Sequence, residues 1–139
     1  MTLGRTIPAL PVADLDRALA GWTEGLGFTC EHSDEAFAVL RRDDAQVHLW
    51  RADDLRWSDR TDLRERPVRS GAESFLAGTA SCRIEVSDAH ALESLAAELA
   101  ARGVLHPRHP PAVVATDYGC DEVYALDPDG NLVTFFRWR

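Results

Sequence analysis

The side chains able to do chemistry are few and scattered. The five histidines, His32, His48, His90, His106 and His109, form no H-x-E or H-E-x-x-H pattern, so none is spaced like the ligands of a helical metal site. No serine sits in a G-x-S-x-G elbow, and no cysteine and histidine together fall on a nucleophile motif. All fifteen basic residues are arginine, which removes lysine Schiff-base chemistry and the lysine of a phosphate loop. Cys30, Cys82 and Cys120 are odd in number and lack C-x-x-C spacing, so they read as reduced thiols, Cys82 in the core and Cys120 in a loop. His106 and His109 lie in a Pro-rich stretch and leave two readings open, a solvent-exposed pair or a two-imidazole metal site. Nothing in this pattern demands catalysis.

What the residues do offer is the lining of a binding surface. His48 and Trp50 alternate on one strand and share a face, and Ser81, Arg83 and Glu85 do so on another. Phe37 follows an acidic turn, and Tyr118 stands beside Gly119 among polar residues in a predicted loop, where a core role is unnatural. Each has a bland alternative. Phe37 and Trp50 could be ordinary core, His48 a hydrogen-bonded interior residue, and Arg83 with Glu85 a salt bridge on the outer face if the strand phase slips by one residue.

The elements that must position these residues follow from local chemistry. Residues Glu122 to Phe136 hold two apolar runs divided by Asp127-Pro128-Asp129-Gly130, a turn in which proline presets φ and glycine supplies a positive one. The flanking runs therefore pair as an antiparallel hairpin. Upstream, Arg5 to Val12 is a short strand that Pro8 and Pro11 confine to a sheet edge or end. Asp14 caps a helix carrying Leu15, Ala18, Leu19 and Trp22, stopped by Gly25 and Gly27. Strands follow at Phe28 to His32, Phe37 to Arg41 and Gln46 to Arg51, the last two joined through Asp43-Asp44. Thr79 to Val86 is another strand, Asp88 caps a second helix marked by Leu92, Leu95 and Leu99 and ending near Gly103, and Val113 to Ala115 is a short strand before the hairpin. The two halves match in outline, which reads as an internal duplication. Between them, 52–78 is dense in charge of both signs, with Trp57, Phe75 and Leu76 and a helical turn at Asp59 to Arg66. It is either a solvated linker or a loop over a cleft.

Composition bounds the function. With 139 residues and 45% apolar content the chain forms one domain with a proper core. A net charge of -8 opposes nucleic-acid binding and favours a cationic or metal-carrying ligand. Residues Met1 to Leu10 lack the apolar core of a signal peptide, and no run has the roughly 18 apolar residues of a membrane span. A soluble, cytoplasmic protein is expected.

In order, Leu-Pro-Val-Ala-Asp14, Leu-Gly-Phe28, Val-His48-Leu-Trp50, Ser81-Cys-Arg-Ile-Glu-Val and Asp127-Pro-Asp-Gly-Asn-Leu resemble the vicinal oxygen chelate superfamily, and within it the bleomycin-resistance proteins. The resemblance covers nearly the whole chain apart from the central charged stretch. It implies an α+β fold of two βαβββ modules, 5–51 and 79–137 joined by 52–78, whose strands wrap into a cupped mixed sheet. It also implies a homodimer with clefts built from both chains. Metal-dependent members carry ligands at four inward positions, which here hold Ile7, His48, Ser81 and Thr134, and a lone imidazole cannot hold a divalent ion against water. No cofactor is therefore expected. In this likeness the cup is lined by Phe37, His48, Trp50, Ser81, Arg83 and Tyr118, with Phe37 and Tyr118 in the places of drug-stacking aromatics. The implied function is non-catalytic sequestration of a bleomycin-type glycopeptide. The alternatives are a metal-dependent lyase, dioxygenase or thiol transferase, or a binder of another flat antibiotic.

Overall fold

The computed structural model describes residues 1–52, 61, 62, 64, 65 and 80–139. Trp57, Phe75, Leu76 and Thr79 lie outside the described residues, as does most of the helical turn expected at 59–66.

Each half of the chain builds a four-stranded mixed sheet of the same order. Strands β1 (Ala9–Val12), β2 (Thr29–Ser33), β3 (Phe37–Arg42) and β4 (Ala45–Arg51) form the order β1-β4-β3-β2. Strands β5 (Ser81–Glu85), β6 (Val114–Ala115), β7 (Cys120–Leu126) and β8 (Leu132–Trp138) form β5-β8-β7-β6. In each sheet the first strand runs parallel to the last, and the remaining pairs are antiparallel. The duplicated order expected from the sequence is thus expressed as duplicated topology.

The helices start where the side chains dictate. Asp14 accepts a hydrogen bond from the Arg17 N–H at the start of α1 (Leu15–Ala20), and Asp88 accepts one from the Ala91 N–H at the start of α2 (Ala89–Ala101), both at 2.8 Å. Each satisfies a backbone donor that would otherwise be orphaned. The chain leaves both helical regions through a glycine with positive φ, Gly27 at 76° and Gly103 at 71°. The first helix differs from expectation in one respect, since beyond Ala20 it widens into a π-helical turn, Gly21–Gly25. That turn seats Trp22 fully inside, edge-on to Phe28 at 5.0 Å. Burying a side chain of that size stabilises the fold by about 2–3 kcal/mol. The first strand starts at Ala9 rather than Arg5, and Pro8 already accepts a hydrogen bond from the His48 N–H. It is an edge strand, as its prolines require.

One face of each sheet is sealed by its helix. Leu10, Val12, Ala38, Leu40, Val47 and Leu49 bury the covered face of the first sheet, and Cys82, Val123, Ala125, Val133 and Phe135 that of the second. These residues join a single core that also takes in Leu92, Ala96 and Leu99 from α2. The alternate strand positions are left on the opposite, open faces.

The β7–β8 turn ties the halves together. The Asp127 carboxylate accepts hydrogen bonds from the Asp129 and Asn131 N–H groups, the Asn131 side-chain amide and the Trp22 indole N–H. The same Asn131 amide donates to the Pro11 carbonyl at 2.8 Å, and its oxygen accepts from the Ala80 N–H. Asp129 accepts from the Ala13 N–H and pairs with Arg17. Gly21 makes room for this turn, because a Cβ there would lie 2.0 Å from Pro128 Cγ. Alanine is the better helix former by about 1 kcal/mol, yet Gly21→Ala is expected to destabilise the protein by about 1–3 kcal/mol in urea unfolding, the overpacking against the proline ring outweighing propensity.

Candidate functional site

The open face of the first sheet carries three rings in contact. Phe37 and Trp50 are direct cross-strand partners in the β3–β4 register, with ring centroids 4.5 Å apart, and His48 meets Phe37 edge-on at 4.9 Å. All three are half-buried, with the covered face of the sheet behind them filled by Leu40 and Leu49. His48 is level with Ala9 on β1 and Val39 on β3, and its imidazole lies 3.3 Å from the Gln46 amide. Partial burial lowers its pKa, so at neutral pH it is an uncharged ring beside two apolar ones. The shared phase of His48 and Trp50 read from the sequence is therefore correct, and Phe37 joins them.

The open face of the second sheet is built differently, around a carboxylate. Glu122 on β7 is only 1% exposed, yet it is fully engaged. One oxygen accepts from the Arg83 guanidinium on β5 and from the Tyr118 hydroxyl at 2.6 Å, and the other accepts from the Tyr124 hydroxyl at 2.6 Å. Arg83 lies over the Phe136 ring at 4.5 Å, Phe136 meets Trp138 edge-on, and His109 stacks on Tyr124 with centroids 4.0 Å apart. Tyr118 and Trp138 remain 56% and 60% exposed. Burial pushes the Glu122 carboxyl up, but the hydrogen bonds from Tyr118, Tyr124 and Arg83 together outweigh it and hold the group below the ordinary carboxyl value. Burial, helped by the bond to Glu122, pushes the Tyr124 phenol up to about 12.

The six residues expected to line one cup thus fall on two open faces. Phe37, His48 and Trp50 stand together on the first sheet, and Arg83 and Tyr118 meet through Glu122 on the second. Ser81 is exposed at the start of β5, level with Leu132, while Thr134 is level with Arg83 and Tyr124. The partner of Arg83 is Glu122 rather than Glu85, although Ser81, Arg83 and Glu85 do share an exposed phase. Ile7 precedes β1, and the position level with His48 is Ala9. Cys120, expected in a loop, is buried at the start of β7 because that strand begins two residues earlier than the apolar pattern showed. Among the described residues no three His, Cys, Asp or Glu side chains converge as a metal set. The His106 and His109 rings do approach to 4.7 Å, but the Nδ1 of His106 accepts the Arg108 N–H.

Glu122, Tyr124, Phe136 and Trp138 were not singled out from the sequence. A signal was present, since Glu122 and Tyr124 alternate along one strand, but only the cross-strand register places Arg83 beside them. A separate groove of about 440 Å³ between the halves is lined by Phe28, Arg42, Asp43, Ile84, Glu85 and Phe135 among others, and it contains none of the six expected residues.

No family model matches the chain. A bleomycin resistance protein from Geobacillus stearothermophilus is 41% identical over 135 residues, 96% of each chain. The chain belongs to the bleomycin resistance protein family. Among solved structures, a bleomycin-binding protein from bleomycin-producing Streptomyces verticillus, complexed with copper(II)-bleomycin, is 26% identical with a TM-score of 0.67, covering 97% of this chain and 96% of that one. A lactoylglutathione lyase from Agrobacterium tumefaciens, 18% identical with a TM-score of 0.70 and covering 99% and 95% of the two chains, shares the fold alone. The α+β fold of two four-stranded mixed sheets is thus that of the glyoxalase and bleomycin-resistance proteins, which hosts both binding and catalysis.

Because the Glu122 carboxyl is held below its ordinary value of 4.5, the stability it contributes is present in full above that value and is lost as the pH falls through the lowered one. Tyr124→Phe removes one of the bonds that lower it. The drop in urea midpoint between neutral pH and about pH 3 is therefore expected to be smaller in this variant than in the wild type.

Proposed function

We propose that this chain binds and sequesters a bleomycin-type glycopeptide without transforming it. The observation that carries the reading is the trio Phe37, His48 and Trp50, three rings held in contact on an open sheet face by neighbouring strands. Flat heteroaromatic rings gain stacking energy on such a surface, and an uncharged His48 leaves no cation there to repel a cationic tail. Membership in the bleomycin resistance family supports the reading, as does likeness to a protein solved with copper(II)-bleomycin. Sequestration works by mass action, since drug held on the protein is withheld from its target in proportion to protein concentration over Kd.

In this reading Phe37, His48, Trp50, Ser81, Arg83 and Tyr118 are the ligand-contacting residues. Two open faces on separate sheets suit a cleft closed by a second copy of the chain, the first sheet of one protomer facing the second sheet of its partner. A homodimer would also cover the exposed Trp138 and the β1 and β6 edges. Isothermal titration with metal-free and copper-loaded bleomycin is expected to show saturable binding at one site per chain. Phe37→Ala is expected to weaken it about tenfold, the loss of one well-placed stacking contact. Absence of heat with both drug forms would remove this ligand.

A further inference from the structure

The second sheet's open face is organised around a carboxylate, which has no ring of its own to stack on a drug. A glutamate on a central strand, nearly sealed from solvent, receives three donors from three directions. Two of them, Tyr118 and Arg83, reach out to solvent. We propose that Glu122 is a positioning residue of the binding face, which fixes the Tyr118 ring and neutralises Arg83 so that this face receives a flat, uncharged or cationic portion of the ligand.

The geometry carries the argument. Tyr118 lies in the turn before β7, beside Gly119 at φ 85°, and its hydroxyl donates to Glu122 at 2.6 Å. Without that bond an exposed ring on a turn would sample several rotamers, and ordering it would then fall on the ligand at a cost in affinity. Arg83 would have two effects if it were free. It would present an unpaired positive charge to a cationic ligand, and it would leave the Phe136 ring on which it now lies. The Glu122 carboxylate cancels that charge from beneath and orients the guanidinium by a short charge-assisted bond. Tyr124 occupies the remaining oxygen and is itself held between Glu122 and the stacked His109. The site is thus a rigid, locally neutral plate rather than a loose arginine and a loose tyrosine.

The inference rests on the binding function proposed above, but half of its test does not. The chain contains two tyrosines, Tyr118 and Tyr124, and both donate to Glu122, so the phenolate absorbance of the protein reports on this centre alone. The bond to Glu122 raises the Tyr118 phenol above its ordinary value of 10.0. In Tyr124→Phe the single remaining phenol should therefore ionise above that value, and in Tyr124→Phe/Glu122→Gln it should return to it. Equal midpoints in the two proteins would overturn the coupling whether or not any drug binds.

The second half is calorimetry with metal-free bleomycin. Tyr118→Phe removes only the hydroxyl of a solvent-exposed ring and leaves Glu122 its bonds from Arg83 and Tyr124, so the protein still folds, and it is expected to weaken binding several-fold by freeing the ring. Glu122→Gln should weaken it roughly tenfold or more. The excess over Tyr118→Phe should shrink as salt is raised, because it comes from the uncovered Arg83 charge. Wild-type affinity in Tyr118→Phe would overturn the positioning role even if Glu122→Gln failed to fold. A wild-type protein with no heat of binding would sink the drug reading, while the phenol titration would still decide whether Glu122 holds the tyrosines.

Discussion

The structure depends on one buried carboxylate and its amide partner. Asp127 closes its own turn by accepting from Asp129 and Asn131, and then accepts from Trp22 in the other half of the chain. Asn131 reaches into that half as well, donating to Pro11 at the end of the first strand. Burial raises the Asp127 pKa, and the hydrogen bonds from Asn131 and Trp22 oppose that shift, as befits a carboxylate kept inside by its donors. A turn that could have been a surface reversal therefore serves as the clasp between two modules. A second tie runs the other way, from Arg42 at the end of β3 to the Leu26 carbonyl and to Glu98 on α2.

With the halves clasped, each helix seals one face of its sheet, and among the described residues no helix covers the other. The two bare faces solve the problem of exposure differently. The first keeps its rings close together, so Phe37, His48 and Trp50 shield one another. The second carries charge, and a buried glutamate holds the exposed arginine and tyrosine in register. Both are preorganised, the first by van der Waals contact and the second by hydrogen bonds. Preorganisation favours tight association, since it leaves little ordering to the moment of binding.

The likeness of this fold to both binding proteins and a lyase shows how little the scaffold commits to. The positions that the resemblance marks as metal-bearing here hold Ile7, His48, Ser81 and Thr134, and the register shows that Ile7 is not even within the sheet. What remains on the open faces is aromatic and paired-ionic. What a chain on this fold does is decided by the side chains it carries rather than by the scaffold.

The local chemistry of the sequence settled the elements. Asp14 and Asp88 cap helices because a short carboxylate before an apolar periodic run has unsatisfied N–H groups to accept from, and Asp127 to Gly130 turns because proline and glycine allow little else. Alternation along β4 by itself puts His48 and Trp50 on one face. What only the tertiary structure decided was partnership across long separations. Arg83 joined Glu122 rather than Glu85, Trp22 was drawn into a π-helical turn toward Asp127, and the six residues expected to line one cup were divided between two faces. The physical reason is that period and propensity act over a few residues, whereas strand register and the packing of one half on the other bring together side chains whose spacing in the chain carries no trace of the contact.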